Sequence, residues 1–598
     1  MPPNLIEIVC MAGNMRQSSC LRTAYESCNN VRLGYSNYQS RILPQDLINE
    51  LPEACIAEIF RHVENPEDRQ SCASVCWRWA NILVSQRPNF WGPFSVHQAV
   101  HPCLHLSNAD DIKLAAAVVD MCARDVVTDL DLHCAPCGAV VDGVPRLTDS
   151  AIRFVTSACR NLKSVCLVDC VSLTDKAARI IASNCPALEN LVMLQSSISD
   201  DGLSQVAKQC RNLKFLHIEG CLSITEASLR ALVQYAKRLE SLTLGSCPQI
   251  GQDAILSLLM NQPYLGKLEL KGMMTGESHI NFARQSSALH QLCLFRQLSS
   301  LILVKCPGLR NLGMLNFARI HFRLLRHLVI DDCRGVTELG LKWLLGNAMN
   351  PTKLKTIKLV RFLFFTYKAA IEVMSLISST IESMIMDSCD FGMMMPHYLD
   401  EAVACECPKL KVISMEHCER TMELFLLWVN MACRGLKKLR LVGFPARGQA
   451  SHMEHILSGI LHSNGITKVE LQSYHLTDRH VCIVAQSCQG ALQELILGEC
   501  PNIRGNFVVH LRESCRNLIK LTLNHIQISD VQIRILMLVG FHQLEEFNLM
   551  ECPLITDRIL AILHASTLPN LKRINLSDCP NVTQEAVDIY QRRWEIEY

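Results

Sequence analysis

Thirty-one cysteines and 21 histidines are the side chains here best suited to attack a carbonyl, hold a metal or cycle a redox state. Cys134-Ala135-Pro136-Cys137 has the spacing of half a zinc site or of a redox pair, yet no second pair stands at ligand distance from it. It reads as a loop leading out of an irregular first repeat. No Ser/His/Asp set, phosphate-binding glycine loop or paired-carboxylate site is recognisable, and His217, His327 and His417 are scattered. The expectation is therefore no catalytic residue, no metal and no cofactor. Sixteen cysteines instead keep two fixed places in a repeating phrase. Ten close it (170, 221, 247, 306, 333, 389, 418, 500, 552 and 579), and six stand three residues ahead of it (159, 185, 210, 407, 433 and 515). Small apolar thiols at fixed places suit a buried repeat core and a reducing compartment.

The remaining candidates are binding residues, and the phrase decides which way they point. Its clearest copies are Leu213-Leu216-Ile218-Cys221, Leu239-Leu242-Leu244-Cys247 and Leu571-Ile574-Leu576-Cys579. The first apolar residue falls at 162, 188, 213, 239, 265, 298, 325, 354, 381, 410, 436, 466, 492, 518, 544 and 571, with most spacings between 25 and 30 residues. That period predicts a leucine-rich-repeat solenoid. Leu216 and Ile218 alternate with Phe215, His217 and Glu219, the period of a strand buried on one face. Leu229, Leu232, Val233 and Ala236 follow at helical spacing, with Thr225 placed to cap. The same Ser/Thr then Asp/Glu signal recurs at Thr174-Asp175, Ser199-Asp200, Thr337-Glu338, Thr477-Asp478, Ser529-Asp530 and Thr556-Asp557, putting a carboxylate near the positive end of each helix dipole.

The fold class expected is thus α/β, a curved parallel sheet inside with helices outside. Sixteen strands at roughly 4.8 Å would line an arc of roughly 75 to 80 Å, a size that grips a protein or long peptide. The outward strand positions become substrate-binding candidates: His217 and Glu219; Lys267, Glu269 and Lys271; His327 and Asp331; Lys358; Asp387; Glu416; Lys438 and Arg440; Lys468 and Glu470; Lys520; Glu546; Arg573. Lys438, Arg440 and Lys468 form the best local basic patch, suited to an acidic recognition segment. A solvated strand face explains any single member equally well.

Bulk composition adds exclusions. A net charge of +1 over 598 residues offers no general attraction to nucleic acid or to an anionic membrane. The apolar passages 362–365 and 424–429 are too short to span a bilayer. The stretch from Leu5 to Met11 has no basic segment ahead of it, so no secretory signal is expected. Residues 1–41 read as a tail, 42–95 as a separate helical unit, and 96–598 as the solenoid with about 16–18 repeats.

The helical unit breaks the repeat pattern. Ile56, Ile59, Phe60 and Val63 share one helical face, and Cys72, Val75, Cys76, Trp79, Ile82 and Leu83 follow on a second helix. So small and apolar a unit leaves side chains for a partner, or seals the open end of the solenoid. Leu51-Pro52-Glu53, Ile59-Phe60, Val75-Cys76 with Trp79, and Trp91 resemble the F-box. The resemblance implies docking onto the Skp-type adaptor of a cullin-RING ubiquitin ligase through Leu51, Pro52, Ile56, Ile59, Phe60, Val75 and Trp79. It further implies a non-catalytic receptor that holds a protein substrate on its repeats for ubiquitination and proteasomal degradation, in nucleus, cytoplasm or both. Residues 51–83, 110–116 and the array from Leu147 onward resemble plant F-box proteins that bind ethylene-insensitive-type transcription factors. Two other readings stay open: a hormone co-receptor of the auxin and jasmonate type, for which only the stretch from Leu270 to Leu298 offers a long inserted loop, and a binding scaffold unconnected to a ligase.

Overall fold

A computed structural model of the chain describes residues 103–107, 109–120, 127–134, 147–273, 298–319, 324–346, 353–363, 367–389, 406–418, 422–443, 454–455, 457–461, 465–473, 475–488, 490–538 and 541–598. Two compact units divide it, Met1–Leu265 and Gly266–Tyr598. The first holds β1 (Cys103–Ser107), α1 (Asp111–Asp120), β2 (Asp129–His133), α2 (Asp149–Ala158), β3 (Ser164–Val168), α3 (Asp175–Asn184), β4 (Asn190–Leu194), α4 (Asp200–Gln209), β5 (Phe215–Glu219), α5 (Glu226–Tyr235), β6 (Ser241–Gly245) and α6 (Gln252–Asn261). The second holds β7 (Lys267–Lys271), β8 (Ser300–Val304), α7 (Asn311–Arg319), β9 (His327–Asp331), α8 (Glu338–Leu345), β10 (Thr356–Val360), α9 (Tyr367–Ile377), β11 (Ser383–Asp387), β12 (Val412–Glu416), α10 (Met422–Ala432), β13 (Lys438–Val442) and β14 (Lys468–Gln472). It continues with α11 (Asp478–Cys488), β15 (Glu494–Gly498), α12 (Val508–Ser514), β16 (Lys520–Leu523), α13 (Asp530–Met537), β17 (Glu546–Asn548), α14 (Arg558–Ala565), β18 (Arg573–Asn575), α15 (Gln584–Tyr590) and β19 (Glu595–Glu597).

Within each unit every strand pairs in parallel with the next in the chain, residue for residue, as Leu191 faces Leu216 and Leu439 faces Val469. This is the leucine-rich-repeat solenoid that the period predicts. All sixteen residues placed at the head of the phrase are buried, and each stands two positions ahead of a strand. The phrase misses β1, β2 and β19. In a typical repeat Leu213, Leu216, Ile218, Cys221, Ile224, Leu229 and Leu232 are no more than 2% exposed. Truncating one such leucine to alanine costs about 2–5 kcal/mol, because a stacked repeat closes poorly over a cavity. No helix among the described residues is long and apolar enough to cross a membrane.

The caps form as the Ser/Thr signal implies. Thr174, Ser199, Thr225 and Thr337 each accept a hydrogen bond from the amide two residues on. The neighbouring carboxylate does more than sit by its own helix. Asp149 accepts from the amide and hydroxyl of Thr174 at 2.9 and 2.8 Å, and Asp175 does the same for Ser199 at 2.7 Å each. One repeat is thereby tied to the next.

A left-handed residue follows each strand from β3 to β13: Asp169, Gln195, Gly220, Ser246, Gly272, Lys305, Asp332, Arg361, Ser388, His417 and Gly443. Within each unit its N–H reaches the end of the following strand, as from Asp169 to the Leu194 carbonyl at 3.0 Å. Three of the eleven are glycine, so the other eight adopt at some cost a conformation glycine takes freely.

Cysteine fills the next position after seven of these eleven residues, at 170, 221, 247, 306, 333, 389 and 418. The Cys170 thiol donates to the Val168 carbonyl at 3.3 Å, Cys247 to Gly245 at 3.2 Å and Cys418 to Glu416 at 3.1 Å. All sixteen repeat cysteines are buried and unbridged. Burial pushes the thiols of Cys185 and Cys210 up to about 12 and that of Cys500 up to about 11.

Candidate functional site

Alternation along each strand leaves one face of the sheet to the core and the other to solvent, where the binding candidates lie. Parallel pairing in register turns equivalent positions into rows of side chains spaced by the strand separation. Each row's chemistry is then set by residues some 30 positions apart in sequence.

In the first unit, His217 and Glu219 lie on β5, half-buried, with Nε2 and Oε2 at 3.1 Å. The remaining substrate-face candidates lie in the second unit. Lys267 on β7 pairs with Glu269 at 3.0 Å, and Lys271 reaches the same carboxylate at 3.3 Å. Burial alone would raise the Glu269 carboxyl, but the two lysines outweigh it and hold it below the usual range. Lys358 stands exposed on β10.

The anticipated basic patch is not what the register produces. Arg440 lies between Glu416 on β12 and Glu470 on β14, pairing with both, the latter at 2.7 Å. Lys468 pairs with Glu494 at 2.7 Å. Further along, Lys520 pairs with Glu546 at 2.7 Å and Arg573 joins the same carboxylate. Only Lys438 of the three keeps no ion partner among the described residues, so this region is a ladder of alternating sign.

The face also carries apolar side chains among its charges. Glu269, Ile302, Val329, Lys358, Ile385, Ser414, Arg440 and Glu470 form one row from β7 to β14. Its centre presents Ile302, Val329 and Ile385 partly to water, around the ammonium of Lys358. Paired charges flank this aliphatic island on both sides, Glu269 with Lys267 and Lys271 at one end and Arg440 with Glu416 and Glu470 at the other. The available signal was the β-branched residue at an outward position, where solubility alone favours polar side chains.

Metal-ligand types converge at one place among the described residues. Asp131 and His133 on β2 and Cys166 on β3 bring a carboxylate oxygen, an imidazole nitrogen and a sulfur within 4.8 Å of one another. The C-x-x-C spacing does not locate this cluster: the Cys134 sulfur lies 3.1 Å from that of Cys170, and Cys137 is outside the described residues. Sequence reasoning missed it because Cys166 lies 33 and 35 residues from His133 and Asp131 and meets them only through strand register.

The adaptor-site candidates Leu51, Pro52, Ile56, Ile59, Phe60, Val75 and Trp79 lie outside the described residues. They fall within residues 48–91, which match the F-box-like family model. The chain therefore carries an F-box-like domain ahead of a leucine-rich-repeat solenoid. Among solved structures, that of a yeast Rad7 and Elc1 complex aligns at 16% identity over 73% of this chain and 90% of that one, with a TM-score of 0.34. A TLR13–ssRNA13 complex aligns at 11% identity over 79% and 85%, with a TM-score of 0.33. Likenesses at these scores carry nothing about function.

Proposed function

We propose that the chain is the substrate-recognition subunit of a Skp–cullin–F-box ubiquitin ligase. The match of residues 48–91 to the F-box-like model carries this reading. The F-box grips a Skp-type adaptor and, through it, the cullin and RING subunits, while the solvent face of the repeats holds the protein to be modified. Holding that protein near the ubiquitin-loaded enzyme raises its effective concentration, so the chain contributes proximity and needs no catalytic side chain. The aliphatic row around Lys358, with its rim of paired charges, supports a folded or extended protein as the substrate. The resemblance to plant receptors of ethylene-insensitive-type factors makes a transcription regulator the target class, and nucleus or cytoplasm the place of action.

The test is capture of a purified Skp-type adaptor by the full chain. Changing Ile59 and Phe60 together to alanine is expected to abolish adaptor capture while thermal unfolding of the repeats and retention of the substrate stay unchanged. A double variant that captures the adaptor as well as the parent chain would overturn the assignment.

A further inference from the structure

We propose that Asp131, His133 and Cys166 form a binding site for a divalent transition-metal ion of the zinc class. The three residues occupy neighbouring solvent-facing positions of the sheet, since Asp131 faces Cys166 directly across β2 and β3 and His133 lies two residues beyond Asp131 on the same face. His133 Nε2 and Asp131 Oδ1 are 3.0 Å apart. Zinc bonds of about 2.0 to 2.1 Å to nitrogen and oxygen, set at tetrahedral angles, separate two such donors by about 3.3 Å, so this pair already spans close to one edge of the polyhedron. A sulfur edge is about 3.6 Å, and all three donors lie within 4.8 Å of one another, so the thiol closes the set by moving little more than about 1 Å, within reach of a side-chain torsion.

The donor set selects the ion. A thiolate, an imidazole and a carboxylate suit zinc, whereas calcium and magnesium prefer oxygen throughout. Binding releases the Cys166 proton, after which thiolate and carboxylate balance the two charges of the metal. Side chains of Asp131 and His133 are 30% and 42% exposed, so the ion is not sealed in. Three donors among the described residues leave a fourth tetrahedral place for a further ligand, from the protein or from water. This site stands independently of the ligase reading.

Alkylation of the chelator-treated full chain, with and without one equivalent of zinc, tests the site by peptide mass mapping. Zinc is expected to slow labelling of Cys166 at least about tenfold, while labelling of the half-buried Cys482 is unchanged and magnesium gives no protection. Asp131→Ala and His133→Ala should each remove the protection yet leave Cys166 reactive in the absence of metal, and Cys134→Ser should retain it. Unprotected Cys166 in the parent chain, protection that survives in both ligand variants, or equal protection by magnesium would each overturn the proposal.

Discussion

Asp200, at the start of α4, accepts hydrogen bonds from the amide and the hydroxyl of Thr225, at 2.8 and 2.5 Å, and Thr225 in turn caps α5. The same carboxylate also accepts from Ser228 at the first turn of that helix. Asp530 with Thr556 and Asp557 with Thr583 repeat the contact, so a side chain chosen for one helix dipole orients the helix after it. Asp200→Ala is expected to cost about 1–3 kcal/mol, the price of leaving part-buried donors unmatched, as read from denaturant midpoints. Asp200→Asn should cost less, because Asn311 at the corresponding place accepts from the Thr337 amide at 2.8 Å. Burial raises the Asp200 carboxyl, but the bonds from Ser228 and Thr225 outweigh it and the net shift is downward. Its contribution is therefore complete above the ordinary carboxylate range and is lost as pH falls through the lowered folded value.

The aliphatic row of the second unit should govern partner capture. Val329→Asp and Ile385→Asp are expected to weaken substrate retention at least about tenfold, with adaptor capture unchanged and stability altered by no more than about 1 kcal/mol at these partly exposed positions. Quantitative co-purification of both partners, beside thermal melts, measures the three effects. Retention at the parent level in both variants would move the binding face elsewhere.

Thiol burial gives the chain an alkaline limit. Cys185, Cys210, Cys488 and Cys515 are each held up to about 12, burial being the first cause in every case. The folded chain then keeps protons that the unfolded chain releases above about pH 8.5, so stability declines from there upward by as much as about 1.4 kcal/mol per pH unit for each thiol. Urea unfolding at pH 8, 9 and 10 should show the fall, and cysteine-to-alanine variants at these positions should lessen it. In native labelling, Cys134, Cys166 and Cys482 should react ahead of the buried set among the described residues.

His480 sets a limit on the acid side. It is buried in the first turn of α11, and the Thr477 amide donates to its Nδ1 at 3.3 Å. Desolvation leads the causes that lower its pKa. Stability from this group is complete above the ordinary histidine value near 6.5 and is lost as pH falls below it towards the folded value, because only the unfolded chain gains the proton there. His480→Gln keeps an acceptor three residues after Thr477, as in a capping box, and should flatten the stability profile between pH 7 and 5. An unchanged profile would assign the acid sensitivity to other groups.

Reading the chain by period recovers the repeats but not their ends. Spacing of Leu, Ile and Cys placed sixteen strands because each residue's burial depends on its own unit. β1, β2 and β19 lack the full phrase. After β18 the fold continues into Trp594, 3% exposed, whose ring stacks on Tyr590 at 6.1 Å and meets His564 edge-on at 6.4 Å. That aromatic cluster replaces the leucine phrase and has no period to announce it. The F-box-like segment was legible for a different reason, since its residues form a compact motif within a short stretch.

Local chemistry determined the strand, the cap, the cysteine and the direction of every side chain, because a period of two and a Ser/Thr-Asp signal act within a few residues. Which side chains became neighbours was decided by the stacking of strands in register. Only that register sets Arg440 between Glu416 and Glu470, gathers Ile302, Val329 and Ile385 around Lys358, and carries Cys166 to Asp131 and His133. Lateral contacts of this kind join positions 24 to 35 residues apart whose spacing varies from repeat to repeat, and no short-range pattern encodes them.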